Sequence, residues 1–360
     1  MKKDKNQIQE EALLAILPHN RCGVGISMGV GKTLIGLQHM NKNYTDYCEF
    51  LVVAPKKSIE QSWLDDAVKF NLSHLIPHIK FSTYLSLDKQ DSNYDVVYLD
   101  ECHSLLYSHK EWLNNYYGKI IGLTGTPPKF KSSEKGRMVD EFCPIIYTYK
   151  TDAAIEDDIL NEYEIIVHNL SLNSNKNIKV EKKDKTWYTS EQNMYDYWTG
   201  RIAASRTAKD TQITRIMRMK AMMEFPSKEV LAKQLMLNIN DKCIIFANTM
   251  EQADRLCKHS YHSNNPLSED CLEAFKSGKI EQLSCVLQLS EGINIPDLKE
   301  SIILHAYGNE RKTAQRIGRC LRLNPNDKAV IHILCYKNTV DEDWVLSSLS
   351  SFDQSKIKYI

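Results

Sequence analysis

The sequence predicts an α/β protein: two doubly wound parallel-sheet units joined by a helical segment, over 360 residues. Three observations carry this. Short apolar runs alternate with helix-like stretches over residues 1–150, the same rhythm returns over 241–360, and the intervening 151–240 lacks it. At roughly 100–200 residues per domain the length suits such a division. Hydrophobic residues at 42% and charged residues at 26% are those of an ordinary globular protein.

In chain order, CGVGIS (22–27) reads as a strand running into a glycine-rich turn. FLVVAP (50–55) reads as a second strand, followed by a helix over 58–70, and YDVVYLD (94–100) and KIIGLTG (119–125) as two more. Runs apolar on both faces are the mark of buried parallel strands, with crossover helices between them. In the last third, CIIFAN (243–248) precedes a helix over 250–258, and CVLQLS (285–290), SIILHA (301–306) and AVIHILC (329–335) are further strands. Between the units, residues 171–235 are expected to be helical and free of strands, with Pro226 breaking the run.

Net charge is zero, with 46 basic and 46 acidic residues, so the total says nothing of a polyanion partner. The distribution does: residues 171–240 hold 13 Lys/Arg against 7 Asp/Glu. A basic surface, not a basic total, is what grips phosphates. Ten cysteines form no CxxC pair, which suggests no zinc site and a reducing compartment. The polar start MKKDKNQIQEEALL is unlike a signal peptide, and no apolar run approaches a membrane helix in length. A cytoplasmic protein is expected, without membrane contact.

MGVGKT (28–33) is the strongest local signal. A tight glycine turn after a strand aims backbone N–H groups at a phosphate, and the following helix adds its positive end. Met28, Gly29 and Gly31 would form the cradle, Lys32 would reach the terminal phosphates of ATP, and Thr33 would ligate Mg²⁺. The usual pattern has glycine five residues before Gly31, where this chain has Ile26. In DECH (100–103), Asp100 would hold Mg²⁺ and Glu101 would orient and deprotonate the attacking water. Paired acids after a strand also serve as helix caps. In TGTP (124–127), Thr124 and Thr126 would link the phosphate site to a strand-binding face.

GKT, DECH and TGTP on successive strands resemble the superfamily 2 helicases, whose core is two RecA-like lobes. The resemblance continues in QRIGRCLR (315–322), which looks like the family's arginine motif. It implies that Arg319 and Arg322 face ATP, with Gln315 as the motif's polar lead. LSEGINIP (289–296) resembles the motif that reports between ATP and nucleic acid; Gly292 matches its glycine, while Asn294 stands where the family often has Asp. CIIFANTMEQADRL (243–256) resembles the opening of the second lobe. VVAPKKSIEQSW (52–63), with Lys56, resembles the backbone-contacting motif, and FSTYLSL (81–87), with Thr83, the segment that touches phosphates. Gln9 matches the adenine-reading glutamine, with Gln7 a competitor. The wording is closest to double-strand DNA translocases: XPB-like, UvsW-like and chromatin-remodeller-like motors and restriction-enzyme motor subunits. The compact core resembles small phage helicases.

The resemblance implies a nucleic-acid-stimulated ATPase, most simply a monomer, that closes on ATP and ratchets along a strand. DNA is the expected partner; RNA is the alternative, and a nucleotide-gated binding module without motor action is a third reading. In the basic segment, Arg215 and Arg218 lie three apart and share a helix face as an added grip. Ile216, Met219 and Met223 are expected to pack against a lobe. Trp187, Tyr188, Tyr195, Tyr197 and Trp198 could stack bases, although aromatics so spaced are ordinarily core, and most are expected to be buried.

Overall fold

The computed structural model describes residues 2–27, 29–57, 59–182, 185–286, 295–306, 313, 316–317, 327–350 and 352–360. It divides at Glu162/Tyr163 into two compact units.

The first unit runs α1 (Lys5–Ile16), β1 (Arg21–Ile26), α2 (Lys32–Lys42), β2 (Phe50–Ala54), α3 (Ile59–Lys69), β3 (Ile79–Thr83), β4 (Val96–Asp100), α4 (Lys110–Asn114), β5 (Lys119–Thr124), α5 (Glu134–Phe142), β6 (Ile145–Tyr149) and α6 (Thr151–Glu156). Its six strands lie in the order β3-β2-β4-β5-β1-β6, and every adjacent pair is parallel. β2 and β4 are buried at every position, as the continuous apolar runs demand of strands covered on both faces. Leu51, Val53, Leu99, Ile120, Met138 and Phe142 belong to one core cluster on this sheet. Because β5 lies between β1 and β4, the turns that follow these three strands are neighbours at one sheet end, where α/β folds place their sites. α1 starts on a capping box in which Asp4 and Gln7 satisfy each other's backbone N–H groups.

In the second unit, β7 (Glu162–Leu170) is followed by β8 (Ile178–Lys182), β9 (Lys185–Thr189), α7 (Glu191–Ala203), α8 (Ala208–Met223) and α9 (Pro226–Asn238). Then come β10 (Cys243–Phe246), α10 (Met250–Leu256), β11 (Ser260–Tyr261), α11 (Ser268–Lys276), β12 (Gln282–Cys285), β13 (Glu300–Ile303), β14 (Lys328–Tyr336), α12 (Val340–Leu349) and β15 (Ile357–Tyr359). The seven-stranded sheet has the order β11-β12-β10-β13-β14-β7-β15. The pairs β11/β12, β12/β10, β10/β13, β13/β14 and β7/β15 are parallel.

The expectation of a strand-free stretch over 171–235 is corrected. β8 and β9 form a separate antiparallel hairpin within it, before the three helices begin. β7, just upstream, joins the main sheet. Pro226 does interrupt the helices: α8 stops at Met223, Phe225 is extended, and Pro226 opens α9 at a position where its missing N–H costs nothing. Among the described residues no helix is long and apolar enough to cross a membrane, and no His/Cys/Asp/Glu cluster suits a metal.

Candidate functional site

The glycine-rich turn leaves β1 and enters α2 through two residues of positive φ, Gly29 (90°) and Gly31 (104°). At Gly31 a side chain is disfavoured by the backbone and would also displace Gln9. The backbone is left-handed, and a Cβ there would stand 2.5 Å from Gln9 Nε2. Gln9 is buried on α1, and its amide donates to the Val30 carbonyl at 2.7 Å, so the adenine-reading candidate also braces the turn. Gln7 is occupied differently, as the exposed partner of Asp4 in the α1 cap. Lys32 and Thr33, both half-buried, open α2, whose first N–H groups face the turn side.

Lys32 Nζ lies 3.7 Å from Glu101 Oε1, with both side chains largely covered (12% and 15% exposed). Glu101 sits at φ 48°, ψ 54°, a left-handed conformation that a β-carbon disfavours. That strain turns the chain sharply after β4, so Asp100 and Glu101 leave the strand in different directions. Trp63 Nε1 donates to Asp100 Oδ2 at 3.0 Å, the Glu101 N–H donates to Asp100 Oδ1 at 3.0 Å, and the Tyr84 hydroxyl donates to the Asp100 carbonyl at 2.9 Å. Burial, then the adjacent Glu101 carboxylate, pushes the Asp100 carboxyl up to about 6. Burial works the same way on Glu101, but Lys32, His103, the Gly125 N–H and Thr124 outweigh it and hold that carboxyl below its usual range.

His103 connects the acid pair to the TGTP turn. Its Nδ1 lies 2.8 Å from Thr124 Oγ1 and 3.4 Å from Glu101 Oε2, and the Thr126 N–H donates to Thr124 Oγ1 at 3.1 Å. Thr124 has no exposed surface. Its hydroxyl is engaged by His103 and Glu101. Thr126 is half-buried in the same turn.

A nucleotide with a divalent cation fits this donor set. The cradle presents helix-start N–H groups beside a lysine, and two carboxyls crowd together so that one resists ionisation, a conflict that a cation relieves.

Lys56 and Thr83, expected to grip backbone phosphates, line one groove of about 230 Å³ at the ends of β2 and β3, together with Lys57, Ser82 and Ser86. Arg215 is exposed on α8. Arg218 is half-buried: its Nη1 donates to Thr199 at 3.1 Å and its guanidinium lies 5.3 Å from the Tyr195 ring centre, so it also packs α8 on α7. Ile216, expected to be packed away, is 41% exposed; the buried residues of α8 are Thr214 and Met222. The expectation for the aromatics is also corrected. Trp187, Tyr188 and Tyr197 are exposed, and only Tyr195 and Trp198 are partly covered.

Met28, Gly292, Asn294, Gln315, Arg319 and Arg322 lie outside the described residues. Within the arginine motif, Arg316 is described: it is buried, donates to the His305 carbonyl at 3.0 Å and lies 5.0 Å from the Phe246 ring centre. Sequence reasoning assigned no role to Trp63, Tyr84, His103 or Arg316. All four stand inside quoted motifs, Trp63 in VVAPKKSIEQSW, Tyr84 in FSTYLSL, His103 in DECH and Arg316 in QRIGRCLR, which was the available signal.

Residues 226–324 match the family model described as the helicase conserved C-terminal domain. The DNA 3'-5' translocase XPB2 of Sulfurisphaera tokodaii is 23% identical over 94% of this chain and 84% of its own. Among solved structures, the ATP-dependent Type ISP restriction-modification enzyme LlaBIII bound to DNA superposes on 100% of this chain and 31% of its own, with TM-score 0.65 and 14% identity. S. cerevisiae Dbp5 bound to RNA and ADP BeF3 superposes on 98% of this chain and 89% of its own, with TM-score 0.61 and 14% identity.

Proposed function

The chain is a superfamily 2 helicase or translocase, and on that premise we propose that it hydrolyses ATP at the Lys32–Glu101 site to move along or remodel DNA. The observation that carries the reading is the 3.7 Å approach of Lys32 to Glu101 beside a glycine turn braced by Gln9. An ion pair poised there is a phosphate-binding lysine and a general base waiting to be separated by nucleotide.

In this reading the turn and the first N–H groups of α2 hold the phosphates, and Gln9 reads the base while bracing the loop. Thr33 and Asp100 would hold Mg²⁺, which when bound neutralises charge on the phosphate oxygens. Trp63 fixes the Asp100 carboxylate by its indole N–H. Glu101, kept ionised by its neighbours, accepts the proton of the attacking water. Arg319 and Arg322 would supply positive charge to the transferring phosphoryl group. His103 and the two threonines carry the state of Glu101 toward the TGTP turn. Lys56 and Thr83 would hold backbone phosphates, a sequence-independent grip. DNA is favoured over RNA because the relative matched along most of both chains is a DNA translocase. A cytoplasmic location is part of the proposal and rests on the scattered thiols of the sequence.

The test is ATP turnover against single-stranded, duplex, forked and four-way-junction DNA and against RNA. Turnover is expected to be slow alone, strongly raised by DNA, and abolished in Lys32→Ala. Stimulation by RNA alone would transfer the assignment to RNA remodelling, and turnover unchanged in Lys32→Ala would end the reading.

A further inference from the structure

On the reading that this chain works on DNA, we propose that the β8–β9 hairpin is a base-stacking blade that places Trp187 and Tyr188 against unpaired bases where a duplex opens. The hairpin belongs to neither large sheet. Its register pairs Val180 with Trp187 and Lys179 with Tyr188, so the two rings, adjacent in sequence, point to opposite faces of a ribbon two strands wide. Both rings are open to solvent, Trp187 at 44% and Tyr188 at 59%. They build no core, and a two-stranded ribbon has little stability of its own.

The base of the blade, by contrast, is firmly held. Asn173 and Glu191 clamp its two ends together: the Asn173 N–H donates to Glu191 Oε2 at 2.8 Å, and the Gln192 N–H donates to the Asn173 carbonyl at 3.2 Å. Glu191, itself fully buried, also accepts from the N–H and hydroxyl of Ser227 at the start of α9. Ile178, the first residue of the ribbon, packs against the cluster of Met222, Phe225 and Tyr336. A held foot under two projecting rings is suited to bear a load on the faces of the ribbon.

Charge selects the occupant. Residues 171–190 contain five lysines (176, 179, 182, 183 and 185) against Glu181 and Asp184. An aromatic pair in a net basic segment fits a polyanion that also presents flat rings, which describes a nucleic-acid strand. Inside a duplex each base face is already covered by its neighbours. Only unpaired or terminal bases offer a free face, and a blade with one ring per side can meet a base on each side of an opening junction.

The test uses the full chain and, without ATP, a forked DNA oligonucleotide carrying 2-aminopurine at the junction. Wild type is expected to quench the probe by stacking. Trp187→Ala/Tyr188→Ala is expected to lose the quench and weaken single-strand binding by about tenfold or more. Its turnover on plain duplex should stay within about twofold of wild type, since no ATP-site contact is touched. Trp187→Phe/Tyr188→Phe, which keeps both rings, should restore binding. An alanine variant that binds and quenches like wild type overturns the proposal, as does a wild type that leaves the probe unchanged. Turnover indifferent to every nucleic acid, alongside a quench that still depends on Trp187, would instead end the motor reading and leave the blade standing.

Discussion

The indole of Trp63, on α3, donates to Asp100 Oδ2 at 3.0 Å, and its ring edge lies where a side chain on Gly36 of α2 would stand, 2.6 Å from the ideal Cβ. One buried side chain thus sets the orientation of the acid and the spacing of the helix that follows the phosphate turn. Trp63→Phe removes the N–H and keeps most of the ring. Outer-shell partners of this kind typically affect metal affinity by about 10–100-fold. The variant is expected to need about tenfold more Mg²⁺ for half-maximal ATP turnover, at a folding cost of about 1–2 kcal/mol. A magnesium titration of turnover checks it; an unchanged requirement would mean that Asp100 is oriented without Trp63.

Gln9 and Gln7 are separated by their partners. Gln9 holds the Val30 carbonyl from a buried position, whereas Gln7 closes the exposed cap of α1. Gln9→Ala is expected to raise the KM for ATP by about tenfold, the worth of one well-placed hydrogen bond of about 1.4 kcal/mol. Gln7→Ala should leave KM unchanged and cost about 0.5 kcal/mol of stability through the weakened cap. Steady-state kinetics on the two variants tests the distinction, and equal effects on KM would erase it.

The contrast between these glutamines marks how far the sequence could be read. FLVVAP and YDVVYLD announced β2 and β4 because strands covered on both faces must be apolar at every position. β8 and β9 announced less: KTWYT is exposed at four of its five positions, and in β8 the part-buried Ile178 and Val180 alternate with exposed Lys179 and Glu181 over too short a run to stand out. Lys32, Asp100 and Glu101 were legible because phosphate chemistry demands fixed residues at fixed spacing beside a strand. The bracing by Trp63, Tyr84 and Gln9 was not, since those partners are decided by which helix packs over which strand. Spacing put Arg218 on one face with Arg215, but its neighbours Tyr195 and Thr199 follow from how α8 packs on α7, which spacing alone does not give.

Three buried histidines set an acid limit on the fold. Burial holds His39, His168 and His305 each near 4, with Lys119, His332 and Lys228 respectively adding repulsion. In the unfolded chain such groups titrate at about 6.5. Below that value the unfolded state takes up protons that the folded state refuses, so stability falls as pH drops from about 6.5 toward 4. At pH 5 each contributes a loss of at most about 2 kcal/mol relative to pH 7.5. His39→Gln, which keeps a partner for the Tyr98 hydroxyl, should remove one share of that slope. Urea unfolding at pH 5, 6 and 7.5 measures it, and a stability independent of pH across this window would refute the assignment.

The second unit contains a fully buried ion pair whose two halves differ from their sum. Lys228 Nζ, on α9, lies 2.6 Å from Asp341 Oδ2, on α12, and both side chains are fully buried. The lysine also donates to the Leu304 carbonyl at 2.7 Å, and the aspartate accepts the Tyr336 N–H at 2.9 Å, so the pair ties α9, β14, α12 and the end of β13 together. Burial lowers the Lys228 ammonium, while Asp341 is held well below the usual carboxylate range because Lys228 and His305 outweigh its own burial. Removing one partner strands the other charge away from water, which typically costs about 3–5 kcal/mol. Lys228→Met and Asp341→Asn are each expected to destabilise the second unit on that scale. Lys228→Met/Asp341→Leu removes both charges and should cost less than either single change, since the desolvation penalty disappears along with the attraction. A double-mutant cycle in urea decides the matter: additive losses would mean that the two groups are held by their backbone partners rather than by each other.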